Sequence, residues 1–159
     1  MPNIFWDDIF KLSKKASILE VLSNSPICKD LSRTNLIKIS KLVHLRQYSK
    51  NEIIFNENES GQCMYIIKSG IVEISKIITS KKIVLTKLDD GSIFGEISLV
   101  EDTPRDATAK SIGKTEVLTF FRSDLLKLID KDPRLSSFIL FRLSMILGKR
   151  LRYKNIKIK

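Results

Sequence analysis

Between Leu42 and Phe121 the helical periodicity of the chain gives way to short runs rich in Val, Ile, Thr and aromatic residues, and this segment constrains the fold most. The runs are 42–48, 52–56, 63–68, 71–78, 83–88, 107–112 and 115–121. Asn51, Asn58, Gly61, Gly70, Asp89-Asp90-Gly91 and Gly113 divide them, residue types that supply or tolerate the backbone of tight turns. Short strands at this spacing suggest a β-sandwich or barrel.

Helices flank the β-rich segment. Residues 3–22 carry Phe5, Ile9, Leu12, Ala16 and Leu19 at spacings that put them on one stripe, available to the same domain or to a second copy. Pro26 interrupts the pattern, and Ser32 is a candidate N-cap for a helix through about Val43 with Leu36, Ile39 and Val43 inward. Downstream, Ser123 is a candidate cap for a short helix through about Asp130, broken by Asp132-Pro133. The last helix, 134 to about 153, has one apolar stripe of Leu140, Leu143, Leu147 and Leu151 and another of Phe138, Phe141 and Met145. It has to bury more than one face: one on the β-rich body, the other against a partner helix or over a ligand. The expected organisation is a single domain over 1–159, α+β but mainly β: N-terminal helices 1–43, a β-barrel 44–121, C-terminal helices 122–153 and a basic tail 154–159.

A chain of 159 residues suits one domain with a real core. No apolar run approaches the ~20 residues of a membrane span, and Met-Pro-Asn-Ile-Phe-Trp-Asp-Asp lacks the basic start of a secretory leader. Cys28 and Cys63 show no C-x-x-C spacing, so packing in a reducing cytoplasm is favoured over a disulfide or metal site. The net charge of +10 is concentrated in part at 149–159, where Lys149, Arg150, Arg152, Lys154, Lys157 and Lys159 stand without an acid. Such a run is either a solvated end or a contact for an acidic partner, nucleic acid or anionic lipid. Lone His44 has no second ligand or nucleophile at useful spacing, and no zinc spacing, Walker loop or serine elbow is present. The expectation is a receptor and not an enzyme, with no cofactor or metal.

The chemistry concentrates in residues 94–108, FGEISLVEDTPRDAT. Gly95 leading into one helical turn leaves backbone N–H groups that favour an anion. Arg105, nine residues past Glu96, can return to the same place and fork onto phosphate oxygens. Glu96 suits sugar hydroxyls. A hydroxyl acceptor beside an anion clamp describes a receptor for a small sugar-phosphate.

That stretch resembles the phosphate-binding cassette of the cyclic nucleotide-binding domain family, of the cAMP receptor protein and protein kinase A regulatory subunit type, whose pattern runs F-G-E-[LI]-A-L, a short loop, then P-R-A-A-T. Tyr48-Ser-Lys-Asn-Glu-Ile-Ile-Phe55 and Met64-Tyr-Ile-Ile-Lys-Ser-Gly-Ile-Val-Glu73 resemble the preceding strands, and Arg122-Ser-Asp-Leu-Leu126 with the helix after Pro133 resembles the hinge and lid helices. The likeness covers about residues 22–153. It implies an antiparallel jelly-roll barrel flanked by N-terminal helices and by C-terminal hinge and lid helices. It implies Arg105 on the exocyclic phosphate oxygens, Glu96 on the ribose 2′-hydroxyl, Gly95 at the backbone's approach to the ribose-phosphate, and N–H groups of Ile97, Ser98, Asp106 and Ala107 around the phosphate. Ile74 and Leu85 are candidates for the base wall by position.

Departures from the pattern locate the open questions. Asn51 and Asn58 stand where relatives often carry glycine, a change that asparagine's tolerance of positive φ accommodates. Ser98 replaces the usual alanine and adds a hydroxyl within reach of a phosphate oxygen. Asp106 replaces a small residue or threonine; its carboxylate opposes a phosphate or accepts from the 2-amino group of guanine. The lid helix offers no acid to hold a guanine edge, so cAMP is slightly favoured over cGMP as the ligand. The runner-up function is a degenerate fold used as a ligand-independent protein-interaction module. The implied output is movement of the C-terminal helices, acting on an effector protein or within a homodimer through the terminal helices. Too little chain follows residue 153 for the helix-turn-helix that bacterial relatives append, so sequence-specific DNA reading is not expected.

Overall fold

A computed structural model describes residues 18–156, with side chains through Tyr153. The helix expected over 3–22 therefore lies largely outside the described residues; its end, α1 (18–24), is helical and buries Leu22 completely. The Ser32 cap forms as its chemistry requires: the hydroxyl accepts from the Asn35 N–H at 3.3 Å and starts α2 (Arg33–Ser40). Leu36 and Ile39 point inward from α2, and Val43 is buried as expected, but as the first residue of a strand.

The strands are β1 (Val43–Tyr48), β2 (Ile53–Phe55), β3 (Cys63–Ser69), β4 (Val72–Ile78), β5 (Lys81–Leu88), β6 (Ile93–Phe94), β7 (Thr108–Ser111) and β8 (Thr115–Phe121). They form two antiparallel sheets in the orders β1-β8-β3-β6 and β2-β7-β4-β5. β6 is two residues long, too short to announce itself by periodicity. Asn51 (φ 64°) and Asn58 (φ 69°) hold left-handed turns, as expected from their side chains.

The period of two in β3 divides the interior. Met64 and Ile66 face a core shared with Leu118 and Phe120 of β8 and with the helices; Cys63, Tyr65 and Ile67 face a second core between the sheets with Phe55, Phe94, Ala109 and Val117. β3 is thus buried on both faces and carries a continuous apolar run through Ile67. In the second core Tyr65 and Phe94 stack at 4.9 Å between ring centroids, and Phe55 lies 5.7 Å from Tyr65. These rings form the floor under the 94–108 segment. Both cysteines are buried and free, and burial pushes the Cys28 thiol up to about 12.

α3 (Arg122–Lys131) begins one residue before the expected Ser123 cap, because the chain turns directly from β8 through Phe121. Asp132 ends α3 and starts α4 (Pro133–Ile156): Asp132 Oδ1 accepts from the Leu135 N–H at 3.1 Å, and Pro133 occupies the first helical position, where a missing N–H does no harm. Leu135, Ile139 and Leu143 form the buried stripe of α4. Of the expected stripe, Leu140 and Leu147 pack at its margin and Leu151 is exposed; Phe138 packs, whereas Phe141 and Met145 face outward.

Several acids are held ionised by local partners. Lys68 Nζ lies 2.6 Å from Glu116 and lowers its carboxyl below the ordinary 4.5, with a further hydrogen bond from Gln47. Lys82 does the same for Glu73, and Lys38, with the Leu135 N–H, for Asp132. Each folded-state pKa lies below its unfolded value, so the stability it contributes is complete above the unfolded value and is lost as pH falls through the folded one. The urea midpoint is therefore expected to be level from about pH 7 to 5 and to decline below about pH 4.5, less steeply for Glu116→Gln. A midpoint unchanged down to about pH 3 would contradict this linkage.

Candidate functional site

Strand β6 runs into Gly95, whose φ of 67° turns the chain into a single 3-10 turn, Glu96–Leu99. A residue with Cβ is disfavoured there twice. The left-handed backbone strains it, and its Cβ would stand 2.5 Å from Arg105 Nη1. The chain then passes through Pro104, bridged to Ser60, and delivers Arg105 to the underside of that turn. The Arg105 N–H donates to Glu59 O and the Arg105 carbonyl accepts from the Asn58 N–H, both at 2.8 Å, so the β2–β3 connection anchors the backbone of the arginine.

Arg105 is only 6% exposed, and its guanidinium carbon lies 4.2 Å from the centre of the Phe55 ring and 5.7 Å from that of Tyr65. Nη1 donates to Gly95 O at 3.0 Å and Ser98 Oγ at 2.9 Å; Nη2 donates to Cys63 O at 2.8 Å, with Cys63 Sγ at 3.7 Å. Nε is buried without a partner. A buried cation is tolerated only when hydrogen-bonded or paired. Here carbonyl dipoles and aromatic faces replace a carboxylate. The guanidinium is held by the protein's own oxygens, and the Ser98 hydroxyl accepts from the arginine.

Glu96 is 3% exposed and makes no ion pair with Arg105. Its partner is Arg150 of α4, which donates from Nη1 to Glu96 Oε1 and from Nη2 to Ile93 O at 2.8 Å. Arg150 belongs to the basic run 149–159, and one arginine among several cations late in a helix carries no sequence signal of this long-range contact. Gly61, counted as a turn residue, also belongs to the site, packed against Ser98 and Arg105. Phe55 and Tyr65 read as core and are core, yet they also carry the guanidinium.

The remaining candidates lie around this centre. Ile97 sits in the 3-10 turn, Asp106 is exposed beside Arg105, and Ala107 leads into β7. Ile74 of β4 is half-buried and Leu85 of β5 is 50% exposed, and the register slips between them: Ile74 pairs with Thr86 and Ser75 with Val84, leaving Leu85 as a bulge residue. His44 is exposed on β1 and packs edge-on to Phe121 at 5.6 Å. Among the described residues no cluster of His, Cys, Asp or Glu can hold a metal ion, and no helix is long and apolar enough to cross a membrane.

Residues 45–132, more than half of the chain, match the model of the cyclic nucleotide-binding domain family. The chain belongs to that family. This cyclic nucleotide-binding domain is 28% identical over 138 residues to the cyclic AMP receptor protein of Thermus thermophilus, covering 86% of the chain and 62% of that protein. It is 33% identical over 103 residues to the cAMP-dependent protein kinase regulatory subunit of Mycosarcoma maydis, covering 65% of the chain but 20% of the subunit. The crystal structure of the Thermus thermophilus catabolite activator protein superimposes with a TM-score of 0.77 at 29% identity, over 84% of this chain and 62% of that one. A cyclic nucleotide-binding domain from Methylobacillus flagellatus shares the fold, with a TM-score of 0.81 at 23% identity over 92% and 83% of the two chains. The domain thus spans less than two thirds of the Thermus protein and about a fifth of the Mycosarcoma subunit. The family is a regulatory binding module and is non-catalytic.

Proposed function

We propose that this domain is a cyclic-nucleotide sensor, binding cAMP in preference to cGMP and reporting occupancy through α4. The observation that carries the reading is the pairing of a buried, pre-oriented Arg105 with a buried Glu96 across the Gly95 turn. Arg105 supplies the charge for the cyclic phosphate, with N–H groups of Ile97, Ser98, Asp106 and Ala107 beside it. Glu96 accepts the ribose 2′-hydroxyl. Ile74 and Leu85 offer an apolar wall to the base. Tyr153, three residues past Arg150 and 70% exposed, is an aromatic that α4 can bring to it.

Arg150 supplies the coupling. It ties α4 to the carboxylate that the ribose needs, so a ligand hydroxyl on Glu96 changes the energy of that tie. A ligand moves α4 only as far as its affinities for the two positions of the helix differ. The exposed Phe141 and Met145 face of α4 is then available to an effector or a second copy. Two buried, unpaired cysteines accord with a cytoplasmic setting. Two intact site side chains weigh against the degenerate alternative.

Calorimetric titration with cAMP and cGMP tests the reading. Saturable binding with cAMP the tighter ligand is expected, and Asp106→Ala tests whether that carboxylate shifts the ratio of the two. Hydrogen exchange in α4 should change on ligand addition in the wild type and change much less in Arg150→Ala. Absence of binding by either nucleotide at millimolar concentration would return the domain to the interaction-module reading.

A further inference from the structure

Two of the oxygens around the Arg105 guanidinium are backbone carbonyls, Gly95 O and Cys63 O, and the third is the side chain of Ser98. The guanidinium carbon lies 4.2 Å from the centre of the Phe55 ring. A contact with a ring face is weakly directional and does not stop the group from turning; directional hydrogen bonds do. Ser98 is 4% exposed, and its Oγ meets Nη1 at 2.9 Å on the side away from Cys63 O, which holds Nη2. The two ends of the fork are thereby pinned separately.

Gly61 makes this contact possible. A Cβ built there would stand 2.0 Å from Ser98 Oγ, 2.9 Å from Ser98 Cβ and 3.1 Å from Arg105 Nε. Its φ is not positive, so the need for glycine at this position is one of space. Any side chain at residue 61 expels the Ser98 hydroxyl from the guanidinium. Gly61 and Ser98 are therefore one device.

We infer that Ser98 is a positioning residue for phosphate recognition: through Nη1 it fixes the in-plane orientation of Arg105, and so which exocyclic oxygen of a cyclic phosphate the guanidinium meets. The inference rests on the cyclic-nucleotide reading above. The two exocyclic oxygens of a cyclic phosphate are stereochemically distinct. A pinned guanidinium distinguishes them; one that swings in its plane distinguishes them less.

The test is calorimetric titration of the wild type, Ser98→Ala, Arg105→Lys and the double variant with cAMP and with the two diastereomers carrying sulfur in place of one exocyclic oxygen. Ser98→Ala is expected to bind cAMP about tenfold more weakly, as for one hydrogen bond to a charged group, and to bring the diastereomer affinity ratio severalfold closer to one. Arg105→Lys has no Nη1, so adding Ser98→Ala should cost no further affinity in that background. Gly61→Ala, which keeps Ser98 but displaces its hydroxyl, should also flatten the diastereomer ratio. It guards against a folding defect in Ser98→Ala, and thermal melts of both variants check the fold. An unchanged ratio in the folded variants, or an equal loss from Ser98→Ala on both backgrounds, overturns the positioning role while cAMP binding by the wild type stands. A wild type that binds no cyclic nucleotide overturns the functional reading itself, and this inference with it.

Discussion

Arg105→Ala is expected to weaken cAMP binding by on the order of a hundredfold, the upper range for a charge-assisted contact to phosphate. The loss has two sources. The ligand loses its cation, and Gly95 O, Cys63 O and Ser98 Oγ lose the donor they share. Lysine should recover little, because a single ammonium cannot satisfy those oxygens together. Isothermal calorimetry reads the affinity and a thermal melt reports whether the β-sandwich survives. A folded Arg105→Ala domain that binds cAMP within about threefold of wild type would remove Arg105 from the phosphate contact.

The second large effect is expected at Gly95. Gly95→Ala places a Cβ where φ is 67°, at about 1–2 kcal/mol of backbone strain. It also drives that Cβ to 2.5 Å from Arg105 Nη1 and 3.5 Å from Cys63 O. Either the turn or the arginine has to yield. We expect a melting temperature lower by about 3–6 °C, from the usual scaling for a domain of this size. Affinity should fall at least tenfold, since movement of the guanidinium by about 1 Å disrupts a charge-assisted hydrogen bond. Gly91→Ala is the control. It too has a positive φ, 80°, but no atom within 4 Å of the added Cβ, so it should show the strain without the loss of affinity. Equal affinities for the Gly95 and Gly91 variants would mean that the close approach to Arg105 has no bearing on binding.

Much of the architecture was legible because its signals are local. The two asparagines that replace glycine do adopt positive φ; Ser32 does cap its helix; the β-rich runs become strands separated by the expected turns. The cassette was legible because Gly95, Glu96 and Arg105 each need a specific backbone or charge. What escaped is tertiary. Arg150 meets Glu96 across more than fifty residues, and nothing within α4 marks it out from Lys149 or Arg152. Gly61 reads as turn punctuation until Ser98 is seen against it. Ser123 carries a capping side chain but lies inside α3, since the path out of β8 sets the start of the helix. On α4 Leu143 is buried and Leu140 and Leu147 pack as the stripe predicts, but Leu135 and Ile139, outside that stripe, complete the buried face, and Leu151 is exposed.

The outer strand β5 has a consequence beyond the binding site. Among the described residues it pairs with β4 on one side only, which leaves its other edge without a strand partner there, and Ile83, Val84 and Leu85 on it are each more than 40% exposed. A free edge with that side-chain composition is a template for a neighbouring strand. Lys81, Lys82 and Lys87 stand along the same strand, which has no acid of its own; Glu73 of β4 pairs with Lys82 at 2.7 Å and leaves the edge with a positive excess. When two such edges approach, like charges meet before backbone hydrogen bonds can form. The lysines of β5 thereby protect the domain from self-association through this edge, and salt, which shortens the range of that repulsion, is the condition under which the protection weakens.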